Sequence, residues 1–123
     1  MIIITGSSGG IGSYLFNRYL QKGEEVYGTY NSNKPVVADG KYVSRVDVTD
    51  YQQVEKWVEN IGNNIEKAVL INCAGVNYSS LGQNADLESW THVVNVNLIG
   101  PNGDSSSPSH IHICFIYAAC LFR

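Results

Sequence analysis

The first twelve residues, Met1 to Gly12, constrain the fold of this chain more than any other stretch. Three consecutive isoleucines, Ile2 to Ile4, form the short β-branched run that is typical of a strand buried on both faces of a parallel sheet. A glycine-rich turn follows, and apolar residues then recur at spacings of three and four, as on one face of a helix. This arrangement suits phosphate binding, because glycines allow a close backbone approach and the helix N-terminus offers unpaired N–H groups.

The order of the threonine and the glycines in this turn carries a family resemblance. Thr5 and Gly6 are followed by Gly10 and Gly12, a T-G-x-x-x-G-x-G pattern that resembles the opening of the short-chain dehydrogenase/reductase family. The resemblance implies a bound dinucleotide and a Rossmann-like, doubly wound parallel sheet in three α/β/α layers, whereas the alternative is a tight turn without a ligand. The turn residues expected to bind the cofactor are Gly6, Ser7, Ser8, Gly9, Gly10, Ile11 and Gly12.

Length and composition fit one globular domain of 123 residues, 44% hydrophobic and 15% charged. The net charge of -3 argues against broad attraction to nucleic acid or to an anionic membrane. The three cysteines lack metal-ligand spacing, so we expect a reducing, cytoplasmic location and no metal site. His110, His112 and Cys114 occupy every second position, and we interpret them as a chance cluster. Neither a signal peptide nor a membrane span is expected.

The end of the second predicted strand, residues 26–30, bears on the choice of cofactor. In folds of this kind an acidic residue there binds the ribose 2′-hydroxyl of NAD, and it would repel the 2′-phosphate of NADP. Tyr30 and Asn31 occupy that position and are uncharged. Asn31 and Ser32 can hydrogen-bond a phosphate, and Lys34 adds positive charge. We therefore expect NADP, with NAD as the alternative, although these residues also fit an ordinary loop.

A third strand is predicted over residues 41–46, and Asp47, Val48 and Thr49 follow it. The resemblance implies that Asp47 hydrogen-bonds the adenine ring and that Val48 packs against it. The alternative is that Asp47 only ends the strand. Thr49 with Gln52 forms a capping-box pattern that would open the next helix.

A fourth strand is predicted over residues 68–71, and it runs into Asn72, Cys73, Ala74 and Gly75. This stretch resembles the family's Asn-Asn-Ala-Gly motif, with cysteine in the second position. The resemblance implies that Asn72 ties the central strand to its neighbour and that the small residues after it let the cofactor lie close. We expect all four to belong to the cofactor site.

A further helix is predicted to begin at Asp86 as its N-cap. Its predicted buried face consists of Leu87, Trp90, Val94 and Leu98. Asn97 precedes Leu98 as an asparagine of the family's catalytic set does. The resemblance therefore implies a catalytic role for Asn97, which would hold a water in a proton relay.

The resemblance ends near residue 100, where Gly100-Pro101 interrupts the helical pattern. We interpret the chain as lacking the catalytic Ser and the Tyr-x-x-x-Lys that the family implies, since Tyr117 is followed four positions later by Leu121. We interpret residues 1–100 as a dinucleotide-binding domain and residues 101–123 as an atypical tail. Our hypothesis is that the tail arose by truncation or by a shifted reading frame.

The predicted architecture is an incomplete Rossmann-like sheet of four parallel strands in the order 3-2-1-4. Its fourth strand has an open edge unless residues 111–117 cover it. Three functions remain open: an NADP-dependent oxidoreductase acting on a small carbonyl or alcohol, a dinucleotide-binding module without turnover, and a fragment without independent function. A homo-oligomer is also left open.

Overall fold

The computed structural model describes residues 1–35, 42–62, 68–79, 84 and 86–100, together with the strand at 114–117. Each of the four predicted strands and three predicted helices within these ranges is present. In chain order the elements are β1 (Ile2–Thr5), α1 (Gly10–Gln21), β2 (Val26–Tyr30), β3 (Val43–Arg45), α2 (Tyr51–Ile61), β4 (Val69–Asn72), α3 (Leu87–Val94), a π-helix (Asn95–Ile99) and β5 (Cys114–Tyr117). The rest of the predicted tail lies outside the described residues.

The five strands form one parallel sheet in the order β3-β2-β1-β4-β5. The predicted order of the first four strands is confirmed, and a fifth strand, β5, extends the sheet at the edge that the prediction left open. β5 comes from the apolar segment considered as an edge cover, and it pairs with β4 from Val69–Cys114 to Asn72–Tyr117. Because all strands run the same way, the turns that follow β1 to β4 meet at one edge of the sheet.

Side chains alternate along the strands and build a core on each face of the sheet. On one face Phe16 of α1 is 1% exposed, and burial of a side chain this size contributes about 2–3 kcal/mol. It packs with Ile4, Val26, Val43 and Ile71. On the other face Trp57 of α2 packs against Ile3, Ala68 and Leu70. The two helices therefore clamp β1 between them and fix the position of the turn that leaves it.

The N-terminus of α2 differs from the predicted capping box. Asp50, and not Thr49, is the N-cap: its Oδ1 accepts hydrogen bonds from the N–H groups of Gln52 and Gln53 at 3.1 and 3.2 Å. The helix begins at Tyr51, one residue later than a Thr49 cap requires. A carboxylate also suits the positive end of the helix dipole better than a hydroxyl does. Thr49 is left to contact Asp47 instead.

The apolar face predicted to be buried on the last helix is exposed. Its members are Leu87, Trp90, Val94 and Leu98, at 82, 51, 44 and 61% exposure. Val96 is buried instead, and Gly100 lies against Val48. After Val94 the helix widens into a π turn, in which the N–H of Gly100 bonds the carbonyl of Asn95. The wider turn changes the helical period after Val94.

Within the described ranges, no helix has both the length and the apolar character needed to cross a membrane.

Candidate functional site

Ser7 fastens the turn between β1 and α1 to strand β2. Its backbone N–H and its hydroxyl both donate to the carbonyl oxygen of Thr29, at 2.7 and 3.0 Å. Gly28 makes room for this contact, because a Cβ there would lie 2.6 Å from Ser7 Oγ. The Ser7 side chain is 1% exposed, so its polar groups hold the turn in position within the protein.

Gly6 and Gly12 are glycines that the fold itself requires. Gly6 has a φ of +64°, and a Cβ there would lie 2.6 Å from the backbone nitrogen of Ala74. A Cβ at Gly12 would collide with the Gly6 carbonyl oxygen and would lie 3.2 Å from Ser7 Cα. Because both residues lack a Cβ, the start of α1 packs closely against the turn, and the turn packs closely against the segment after β4.

Gly9 and Gly10 lack such a reason. A Cβ on Gly10 would meet nothing within 4 Å, and one on Gly9 would make only an ordinary contact, 3.5 Å from the Gly6 carbonyl oxygen. Gly9 is the N-cap of α1, where no side chain caps the helix and the first turn holds no acidic residue. Ile11 beside them is 41% exposed, and Ser8 is half-buried. The result is an open cradle at a positive helix end, which suits an anionic group that approaches the backbone closely.

The segment after β4 is joined to β1 through Thr5. The Thr5 hydroxyl donates to Asn72 Oδ1 at 3.3 Å and accepts from the N–H groups of Cys73 and Ala74, each at 3.2 Å. Asn72 thus ties the two central strands together, as the resemblance implied. Its Nδ2 is buried without a hydrogen-bond partner among the described residues. Ala74 lies against Gly6, so this segment forms the wall next to the turn.

Asn97 lies in the π turn and holds the same segment from the other side. Its Nδ2 donates to the Val76 carbonyl oxygen at 2.8 Å, and its Oδ1 accepts from the Val76 N–H at 3.0 Å. Gly75 permits this approach, because a Cβ there would lie 2.9 Å from Asn97 Oδ1. Both polar groups of the side chain are therefore engaged with backbone, so the side chain positions the segment after β4.

Asp47 links the ends of β2 and β3. Its Oδ1 accepts from the N–H and hydroxyl of Thr49, at 2.9 and 2.7 Å, and its Oδ2 lies 3.4 Å from Asn31 Nδ2. The structure thus brings Asn31 and Asp47 together at the same sheet edge as the glycine turn. Val48 lies against Gly100, and Ser32 is exposed in the bend after β2.

Sequence reasoning missed one cation at this edge, Arg45. It is the last residue of β3, and its Nε donates to the Asn31 carbonyl oxygen at 3.0 Å. The interpretation that the chain lacks a Tyr-x-x-x-Lys spacing is wrong as stated, because Tyr30 and Lys34 have it. Tyr30 ends β2 and packs against the core, and a bend follows, so this pair lacks the helix that would set the two side chains on one face.

The described residues contain no group of three or more His, Cys, Asp or Glu side chains arranged to hold a metal ion. His110 and His112 lie outside the described residues.

Asp86 is the N-cap of α3, as predicted, and it also contacts Tyr78 of the segment after β4. Its Oδ1 accepts from the Ser89 N–H at 2.7 Å, and its Oδ2 accepts from the Tyr78 hydroxyl at 2.8 Å. The Tyr78 ring meets Trp90 edge-on. The Ser89 N–H, and after it the Tyr78 hydroxyl, lower the pKa of Asp86 below its ordinary 3.8.

We expect this cap to stabilise the folded chain at neutral pH and to lose that effect in acid. A lowered folded-state pKa means that the contribution is present above 3.8 and disappears as the pH falls through the folded value. Asp86→Asn should therefore be less stable than the native chain at pH 7, with the difference shrinking below pH 3.8. Denaturant unfolding at a series of pH values measures it, and a difference that stays constant with pH would contradict the assignment.

The parallel sheet, the order of its strands and a glycine turn at the start of α1 together define a dinucleotide-fold α/β protein. A family model described as short chain dehydrogenase matches residues 1–102. The chain therefore belongs to the short-chain dehydrogenase/reductase family.

Individual relatives agree with this membership. An uncharacterised oxidoreductase of Schizosaccharomyces pombe is 31% identical over 101 residues, covering 81% of this chain and 39% of that protein. An NADPH-dependent 3-dehydrocapnine reductase of Ornithobacterium rhinotracheale is 31% identical over 109 residues, covering 78% of this chain and 37% of that protein. A short-chain dehydrogenase from Leptospira borgpetersenii, solved with bound NAD+, has a TM-score of 0.74 and 30% identity, covering 85% of this chain and 42% of that one. The chain spans about two-fifths of the length of these relatives.

Proposed function

We propose that this chain binds a nicotinamide dinucleotide along the sheet edge where the turns after β1 to β4 meet. The observation that carries the proposal is the open cradle at Gly9 and Gly10. Close packing explains the neighbouring glycines, Gly6 and Gly12, but it does not explain these two. Glycines without a packing reason at an uncapped helix N-terminus fit a pyrophosphate that comes against the backbone.

The remaining predicted residues would hold the rest of the cofactor. Asn31 and Ser32 would face the adenosine ribose, and Asp47 and Val48 would contact the adenine. The segment Asn72, Cys73, Ala74 and Gly75 would form the wall along which the cofactor lies. Ser7 would contribute by holding the turn, since its own polar groups bond Thr29.

NADP is the cofactor we propose, with NAD as the alternative. The end of β2 carries Tyr30 and Asn31 in place of the acid that would repel a 2′-phosphate. Among the relatives both occur, one named as NADPH-dependent and one solved with NAD+. The absence of an acidic residue at the end of β2 is therefore the argument that favours NADP in this chain.

The activity proposed for the whole protein is oxidoreduction of a small carbonyl or alcohol, for which a bound nicotinamide supplies or accepts the hydride. Within this chain, Asn97 would act by positioning the segment after β4, because its amide is taken up by Val76. We also propose a cytoplasmic location, which the cysteine content led us to expect.

A dinucleotide-binding chain without turnover is the second candidate. It is favoured by the tail sequence, which does not supply the family's Ser or its Tyr-x-x-x-Lys after residue 100. General acid–base chemistry needs a proton donor within hydrogen-bond reach of the substrate. A chain that binds the cofactor but lacks that donor would bind without turning over.

Titration of the 123-residue chain with NADPH, followed by nicotinamide fluorescence, tests the proposal. We expect saturable binding, and absence of binding would overturn both candidate functions. Addition of a panel of small aldehydes and ketones then separates the two. Carbonyl-dependent loss of NADPH absorbance identifies the oxidoreductase, and binding without such loss identifies the inactive module.

A further inference from the structure

Arg45 stands at the junction of the ends of β2 and β3. Its register partner is Tyr30, the last residue of β2. From there its Nε donates to the carbonyl oxygen of Asn31 at 3.0 Å, which anchors an otherwise exposed side chain. The guanidinium is thus held against the first residue after β2.

Among the described residues, no carboxylate forms an ion pair with this guanidinium. The nearest acidic residue in sequence, Asp47, directs Oδ1 to Thr49 and Oδ2 to Asn31. The hydrogen bond that Arg45 makes within the described ranges uses Nε alone and leaves the two terminal nitrogens as donors. An exposed arginine that is anchored but unpaired with a carboxylate suits an incoming anion.

We propose that Arg45 is the residue that selects the 2′-phosphate of NADP over the 2′-hydroxyl of NAD. This inference rests on the proposed function, because it needs the adenosine ribose to lie at the end of β2. Arginine recognises phosphate with a planar fork of donors, and an arginine near this strand end accommodates the 2′-phosphate in dinucleotide folds. Neither Tyr30 nor Asn31 supplies a competing negative charge.

Arg45 is better placed for this role than Lys34. Lys34 lies just after the bend and is exposed, and no hydrogen bond joins it to another of the described residues. Arg45 is already fixed by the Asn31 carbonyl, so less side-chain freedom is lost when a phosphate binds. We therefore assign the discrimination to Arg45 and a weaker, general electrostatic effect to Lys34.

The test compares the dissociation constants of NADPH and NADH, which differ only in the 2′-phosphate. In the native chain we expect NADPH to bind tighter. Arg45→Gln keeps a donor for the Asn31 carbonyl but removes the charge, and it should weaken NADPH roughly tenfold to hundredfold while changing NADH less than about twofold. Arg18→Gln is the matched control: it changes net charge equally, at an exposed site on α1 where Arg18 bonds Tyr14, and should leave both constants unchanged.

The outcomes separate this inference from the proposed function. Equal binding of NADPH and NADH by the native chain, or an equal loss of both in Arg45→Gln, overturns the role of Arg45 and leaves dinucleotide binding intact. Absence of binding to either nucleotide overturns the proposed function and the inference with it. Arg45→Lys is the second variant, should Arg45→Gln fail to fold. It keeps the charge without the fork, so we expect an intermediate NADPH preference, and a native preference would overturn the assignment to the guanidinium.

Discussion

Gly10→Ala should abolish most of the affinity for NADPH while leaving the fold intact. The added methyl group meets no protein atom within 4 Å, and alanine is the better helix former, so the free energy of unfolding should stay within about 1 kcal/mol of the native value or rise. The methyl would project into the space where we propose that the pyrophosphate approaches the backbone. We expect the dissociation constant of NADPH to rise at least roughly tenfold, a loss of about 1.4 kcal/mol or more.

Fluorescence titration and thermal unfolding of the same sample measure both parts of this prediction. Leu20→Ala is a suitable control, because it alters an exposed residue of α1 far along the helix from the turn. Unchanged NADPH affinity in Gly10→Ala would mean that the cradle is not where the cofactor binds. Loss of both stability and affinity would mean that Gly10 serves the fold, contrary to the open space around it.

The sequence was sufficient to predict the strands, the turn and the helix cap around the candidate site wherever local pattern and chain order determine them. The isoleucine strand, the glycine turn and the cap at Asp86 each depend on a few adjacent residues. The rule that crossover connections are right-handed then predicts the order of the strands. The same local reasoning cannot tell Gly12 from Gly10. The first faces the Gly6 carbonyl and the second faces open space, a difference that arises only when α1 docks on the turn.

The residues that sequence reasoning missed or misjudged depend on contacts between distant segments. Arg45 reaches Asn31 across 14 positions, so no motif around the end of β2 contains it. The stripe that includes Trp90 has correct helical spacing, but periodicity identifies an apolar face without showing which side meets the sheet. The π turn after Val94 then changes the period itself, and Val96 becomes the buried residue.

Gly12→Ala should produce a large loss of stability. Its methyl group would collide with the Gly6 carbonyl oxygen and would lie 2.9 Å from the Gly6 carbonyl carbon. Both atoms are backbone, held by the Ser7–Thr29 hydrogen bonds and by the contact of Gly6 with Ala74, so they cannot yield as a side-chain end would. The helix-forming advantage of alanine, about 1 kcal/mol, is outweighed, and we expect a net loss of about 3 kcal/mol.

Denaturant unfolding followed by far-UV circular dichroism measures this loss, and for a chain of this size it corresponds to a fall in Tm of more than about 10 °C. Gly10→Ala is the matched control, since the same methyl group is added to the same helix two positions earlier. NADPH affinity in Gly12→Ala should be compared at a temperature where the variant remains folded, because its turn would be displaced along with the helix. Equal stability of Gly12→Ala and Gly10→Ala would contradict the close packing of α1 on the turn, and with it the rigid backbone that the proposed pyrophosphate site requires.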